Sequence, residues 1–209
     1  TEGTPENIRK FHPNIIVSST GSAPLLPPIA GLKDRIDNEN HNIYSILGMI
    51  SHINDFPKDL EGKKVVVVGG GAVGLDVVEF FADRNADISI VEMMDQIGRD
   101  LDPVSKNDTK TMMKKHNVHQ LTKTALLEVK DSSFLVKGDG EPYELPFEYG
   151  FVCLGMRAQG QLYQNLTEEF SSEDVEIMNI GDSQRARRII DGTQEGRNIL
   201  TVLEQKGYL

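Results

Sequence analysis

Lys63-Lys64-Val65-Val66-Val67-Val68-Gly69-Gly70-Gly71-Ala72-Val73-Gly74-Leu75-Asp76-Val77-Val78-Glu79-Phe80-Phe81 is the stretch that decides the fold. Four successive valines are apolar on both faces of a strand, the pattern of a sheet interior. The run stops at Gly69, and three glycines in a row open a turn. Beyond it, Val73, Val77, Phe80 and Phe81 recur at helical spacing, with Leu75 and Val78 beside them. Residues 72–84 are therefore predicted to form a helix facing a sheet. Ile88-Ser89-Ile90-Val91 reads as the second strand. Strand, helix and strand together make the smallest βαβ unit.

The turn fits Gly-x-Gly-x-x-Gly, a weak pattern alone that gains weight from the strand before it and the helix after it. Gly69 permits the tight turn. Gly71 leaves room for a pyrophosphate, because a Cβ there would occupy its space. Gly74 lets the helix approach the strand. The free amides at the helix start, at Ala72 and Val73, then face two phosphates without any basic side chain. Glu92 ends the second strand, 23 residues after Gly69. A carboxylate there accepts hydrogen bonds from the adenosine ribose and repels a 2′-phosphate. Met93 and Met94 follow where arginine would suit NADP, and Arg99 is distant in sequence, so the expected ligand is NAD(H). The bland alternatives are a βαβ unit without nucleotide and, for Glu92, a solvated strand end.

Outward from this centre, Thr4-Pro5-Glu6 opens a short helix to Lys10. Ile15-Ile16-Val17 reads as a buried strand, and Ser19 to Pro28 as a turn and extended linker. A helix is expected over Ile43–Asn54, and a junction at Leu60-Glu61-Gly62. Downstream, Asp102 and Pro103 cap and open a helix over 102–116. Strands follow near 124–130, 133–138 and 149–154, with Gly138-Asp139-Gly140 as a turn. A strand over Glu176–Ile180 and a final helix over Gln194–Gln205 complete the chain.

Composition narrows the function. The chain has 209 residues and a formal net charge of −10, which disfavours a nucleic-acid partner. Its single cysteine, Cys153, excludes an intrachain disulfide, a dithiol pair and a Cys-ligated cluster built from this chain alone. Cys153 lies in the apolar run Phe151-Val152-Cys153-Leu154 and reads as a buried strand residue. No apolar run reaches the roughly 18 residues of a membrane span, and no signal segment is seen, so a soluble cytoplasmic protein is the expectation. The five histidines lack a metal-binding spacing; His116 and His119 are separated by an expected helix end. Arg185, Arg187 and Arg188 form the one dense basic cluster, either a solvated approach to the last helix or a contact for phosphate or a partner domain.

These features resemble the two-dinucleotide-binding-domain flavoproteins, most closely the C-terminal FAD/NAD part of the 2,4-dienoyl-CoA reductase and 2-enoate reductase group. The matching stretches are Ile15 to Pro24, Gly62 to Gly74 and Val91-Glu92-Met93. Further on come Cys153-Leu154-Gly155-Met156-Arg157 and Asn179-Ile180-Gly181-Asp182-Ser183. Arg187-Arg188-Ile189-Ile190-Asp191-Gly192 with Glu195-Gly196 favours this group over the disulfide reductases. The resemblance covers nearly the full chain; the order of its motifs is specific, each motif alone is not.

The resemblance implies an α/β architecture in which a Rossmann-like NAD-binding domain, residues 62–155, is inserted into an incomplete FAD-binding domain. Residues 1–61 and 156–209 would supply that partial domain. It places Asp182 on the flavin ribityl chain, Thr20 and Gly21 at the crossover turn near the flavin dinucleotide, and Gly155 and Met156 over the nicotinamide. The family usually has glutamate where this chain has Asp76, and the shorter arm leaves a gap near the nicotinamide. Ser183 stands where a small residue or cysteine is usual.

The resemblance further implies electron flow from NADH to FAD, then through a 4Fe-4S cluster and FMN to an activated C=C bond. The first FAD-binding strand and turn, the FMN barrel and the cluster cysteines have no counterpart in the sequence. The expected partners are therefore those missing segments of a longer parent, and the chain alone is expected to be inactive. The rivals are an NADH oxidase or ferredoxin reductase-like protein, and a non-catalytic NAD-binding redox sensor.

Overall fold

The computed structural model describes residues 2–208. In chain order it contains α1 (Pro5–Arg9), β1 (Ile15–Ser18), β2 (Ser22–Pro24), α2 (Leu32–Arg35), β3 (Ile43–Tyr44) and α3 (Ile46–Ser51). Then come β4 (Lys64–Val68), α4 (Ala72–Ala82), β5 (Asp87–Val91), α5 (Pro103–Lys115), β6 (His119–Leu121) and β7 (Ala125–Val129). The remainder is β8 (Ser133–Lys137), β9 (Tyr143–Pro146), β10 (Tyr149–Val152), β11 (Met156–Ala158), α6 (Gln161–Glu169), β12 (Glu176–Asn179) and α7 (Ile189–Gln205). They divide into two compact units, one of the residues up to Ala23 with those from Met156 onward, the other Pro24–Gly155.

The central unit is built on a five-stranded sheet in the order β3-β10-β4-β5-β6, every neighbouring pair parallel. Period-2 alternation makes β4 serve two cores at once. Val65 and Val67 face a cluster with Val77, Val78 and Phe81 of α4, Ile88 and Ile90 of β5, and Met113 of α5. Val66 and Val68 face the opposite cluster, with Val129, Phe134, Val136 and Phe147. That second layer includes the antiparallel meander β7-β8-β9. Phe81 is fully buried against Phe151, ring centroids 4.8 Å apart. Burying one such ring stabilises by about 1.5–3 kcal/mol. Gly150 lets the aromatics close in, since a Cβ there would stand 2.7 Å from Phe134 and 2.8 Å from Phe147.

Residues 24–61, expected with the flanking segment, belong to this central unit. Ile43 pairs with Gly150 and Tyr44 with Phe151, and Leu32, Ile36 and Ile43 fill the second core. The helix expected over Ile43–Asn54 is a strand followed by a short helix. Ser45 separates them: its hydroxyl caps Gly48 N–H, and Asp37 accepts Ser45 N–H at 2.8 Å. The last helix starts at Ile189, earlier than Gln194, with Asp191 accepting the Arg188 N–H.

In the other unit, β1 pairs in parallel with β12, and β2 pairs with β11. Its core is small: Ile16, Leu166 and Phe170, with Ile8, Leu162, Val175 and Ile177 against them. Arg9 lies over the Phe170 ring and pairs with Glu169 and Glu173.

Candidate nucleotide-binding site

β4 has β5 on one side and β10 on the other, so the chain's crossovers leave it in opposite directions. An open α/β sheet has its crevice at such a point, beyond the carboxyl ends of the strands. A cleft of about 600 Å³ lies there. Val68, Gly69, Gly71, Ala72 and Val73 line it from the β4–α4 turn, and Val91, Glu92 and Met93 from the end of β5. Cys153, Leu154 and Gly155 line it after β10.

Each glycine of the turn has a distinct physical reason. Gly69 has φ +109°, and a Cβ on it would lie 2.1 Å from the Cys153 carbonyl oxygen. A Cβ on Gly74 would lie 1.9 Å from the Gly69 carbonyl oxygen, so α4 could not close on β4. Gly71 is different: a Cβ there would meet nothing in the protein. The space it leaves opens into the cleft. Gly71 is also the N-cap of α4, with no side chain capping it. The amides of the first turn and the positive end of the helix dipole are thus available to an anion.

Glu92 is half-buried and held from two sides. Oε2 accepts Gly70 N–H at 2.6 Å and Oε1 accepts Met94 N–H at 2.7 Å. A carboxylate offers about four lone-pair sites, so both oxygens retain capacity for hydroxyl donors. Met93 is exposed, as is Arg99, which does not line the cleft.

Cys153 forms part of the floor and is buried. Burial, with a smaller contribution from Asp76, pushes its thiol up to about 12. It is an apolar wall at neutral pH rather than a nucleophile. Partial burial on α4, then the neighbouring Glu79, raises the Asp76 carboxyl above its usual range.

Several lining residues carry no motif. Leu25, Pro27 and Ile29 come from the stretch read as a linker, and Thr124, Ala125 and Leu126 from the start of β7. The one signal in the sequence was the apolar pair Leu25 and Ile29 among the prolines.

The remaining expected site residues lie in the other unit. Thr20 donates its hydroxyl to the Gln159 carbonyl, and Gly21 accepts Gln159 N–H. Met156 opens β11. Asp182 sits in the single turn Gly181–Ser183, where it accepts Ser22 Oγ and Arg187 N–H, both at 3.1 Å. Glu195 takes Gly181 N–H at 2.6 Å and Arg187 at 2.5 Å, and these two donors, in that order, hold its carboxyl below the usual range. The Arg cluster is thus partly spent on structure, with Arg188 also 3.9 Å from Asp191.

The residues of the central unit fit a nicotinamide dinucleotide: an open cradle at Gly71, an uncapped helix start and an anchored carboxylate. In the other unit, the residue expected at the flavin, Asp182, has its carboxylate engaged by Ser22 Oγ and Arg187 N–H. Among the described residues there is no group of three His, Cys, Asp or Glu side chains placed to hold a metal. None of the described helices is long and apolar enough to cross a membrane.

The family model described as pyridine nucleotide-disulphide oxidoreductase matches residues 6–178. A metal reductase of Desulforamulus reducens is 26% identical over 95% of this chain and 32% of its own length. An NADH oxidase of Thermoanaerobacter brockii is 26% identical over 91% of this chain and 28% of its own. The chain therefore spans about a third of the curated relatives it matches. Among solved structures, a 2-naphthoyl-CoA reductase in complex with 2-naphthoyl-CoA superposes with a TM-score of 0.77 at 22% identity, covering 94% of this chain and 28% of that one.

Proposed function

The chain belongs to the pyridine nucleotide-disulphide oxidoreductase family, and from that premise we propose that it is the NADH-binding electron-entry module of a larger flavin-dependent reductase. The observation that carries this is the pairing of the open Gly71 cradle with the anchored Glu92 carboxylate at one cleft. The α4 amides would take the pyrophosphate and Glu92 the adenosine ribose. With both ends of the adenosine half fixed, the nicotinamide half would extend along the apolar wall past Cys153 toward Gly155. Leu25, Pro27 and Ile29, which line the cleft, would give that path an apolar side. FAD, when bound in the whole protein, supplies the acceptor for the hydride, and Asp182 is the residue of this chain that would hold it. No side chain of the module needs to act as an acid or base; the residues orient and desolvate.

The relatives' names differ in their acceptor, a metal in one and oxidase activity in another. That difference supports an electron acceptor set outside this chain. The resemblance to the 2-enoate and 2,4-dienoyl-CoA reductases favours an activated C=C bond as that acceptor, which would be reduced on segments of a longer parent protein. An NADH oxidase would bind and orient NADH in the same way and differ in the final acceptor alone.

Calorimetric titration of the chain with NADH, NADPH and FAD tests the proposal. NADH is expected to bind at least about tenfold more tightly than NADPH, since hydrogen bonds to a carboxylate are worth about 1.5–3 kcal/mol. A preference for NADPH would remove the role given to Glu92. Binding of neither nicotinamide cofactor would remove the function altogether.

A further inference from the structure

Gly70 is the variable position of the Gly-x-Gly pattern, and the phosphate cradle makes no demand on it. Its backbone makes none either, because its φ is not in the left-handed region that requires glycine. Yet it is buried, and its lack of a side chain has a specific beneficiary. A Cβ there would stand 3.0 Å from Glu92 Oε2, 3.1 Å from Ile97 Cγ1 and 3.2 Å from Glu92 Cβ. Two of these three contacts are to Glu92. The same residue donates its N–H to Glu92 Oε2 at 2.6 Å, and its carbonyl accepts Gly98 N–H at 2.7 Å. Gly70 thus touches both the carboxylate and the loop that carries Arg99 beyond it.

We propose that Gly70 is the positioning residue for coenzyme selection: it holds the Glu92 carboxylate at the ribose and pins the 93–101 loop, so that the site takes a free 2′-hydroxyl and rejects a 2′-phosphate. This rests on the NADH-binding function proposed above. The mechanism is indirect. An alanine methyl must push Glu92 aside or shift the turn, and either lengthens the Gly70 N–H contact that aims the carboxylate. The hydroxyl acceptor is weakened and the repulsion toward a 2′-phosphate is relaxed together. Uniform damage to the turn would instead weaken both cofactors alike.

The test is a set of variants in the full chain, each titrated with NADH and NADPH. Gly70→Ala is expected to lower the NADH:NADPH affinity ratio by about fivefold, the scale of one weakened charge-assisted hydrogen bond. Gly71→Ala fills the phosphate space and is expected to weaken both cofactors in the same proportion. In a Glu92→Ala background, Gly70→Ala is expected to leave the ratio where Glu92→Ala puts it, because the two act as one unit. Should Gly70→Ala fold poorly, Gly70→Ala with Ile97→Ala removes one crowding neighbour and keeps the other; the ratio is expected to stay shifted. An unchanged ratio in Gly70→Ala, an equal shift without Glu92, or recovery of the ratio on trimming Ile97 would each overturn the proposal while leaving NADH binding intact. Failure of the unmodified chain to bind either cofactor would overturn both this and the function it rests on.

Discussion

At the scale of single residues, Cys153 shows how burial decides chemistry. Its side chain shares the floor of the cleft with Gly69 and Gly74: a Cβ on Gly74 would lie 3.6 Å from its own Cβ. With its thiol pushed up to about 12 by burial, it stays protonated in the fold across the physiological range. Thiol reagents at pH 8 are expected to label it only after denaturant unfolds the chain. The linkage has a definite sign. The folded pKa lies above the ordinary value, so the group's contribution is intact below about pH 9 and is lost as pH rises toward 12. The melting temperature of the native chain should therefore fall more steeply than that of Cys153→Ala in that window. Parallel curves for the two would show that the thiol is solvated. The Gly-rich turn was legible at this scale because its chemistry is contiguous. Gly70 and Thr124 were not, since their importance lies in contacts with Glu92, a residue just past the end of β5: Thr124 N–H donates to the Glu92 carbonyl at 2.9 Å.

Elements that carry their own start and stop signals read correctly from sequence. Asp102 and Pro103 mark the beginning of α5, and the structure has Asp102 Oδ1 accepting Val104 and Ser105 amides while Oδ2 accepts Ser105 Oγ at 2.6 Å. Replacing Asp102 by alanine leaves those amides without their acceptor and is expected to lower the melting temperature by about 2–4 °C. The Ser105 hydroxyl and amide, with Val104, hold the Asp102 carboxyl below its usual range. The cap is accordingly in force above the ordinary aspartate value and is lost as pH falls through the depressed one, so the gap between the two proteins should narrow in strong acid. An Asp102→Asn variant that restores stability at neutral pH would show that the acceptor matters more than the charge. Elements defined by distant partners were hidden. β3 is two residues long and exists because Gly150 and Phe151 pair with it, while the apolar spacing Ile43, Ile46, Leu47, Ile50 imitates a helix face. β9 ends at a proline and depends on the register of β8.

At the scale of the whole molecule, the two units differ in self-sufficiency. The Pro24–Gly155 unit closes two apolar layers around its sheet and contains every residue that lines the candidate cleft. Its ends meet within it, Leu25 N–H donating to the Gly155 carbonyl at 2.9 Å. The core cluster of the other unit has three buried apolar side chains, and Phe11, Ile189 and Leu200 are largely exposed there. A segment of residues 24–155 expressed alone is therefore expected to fold cooperatively and to bind NADH within about threefold of the full chain. The sequence contains no tryptophan, so far-UV circular dichroism and calorimetry are the measurements that follow its unfolding. A cooperative fold that has lost NADH affinity would mean that the residues before Pro24 or after Gly155 complete the site. Retained affinity would mean that NADH binding is a property of the central unit alone.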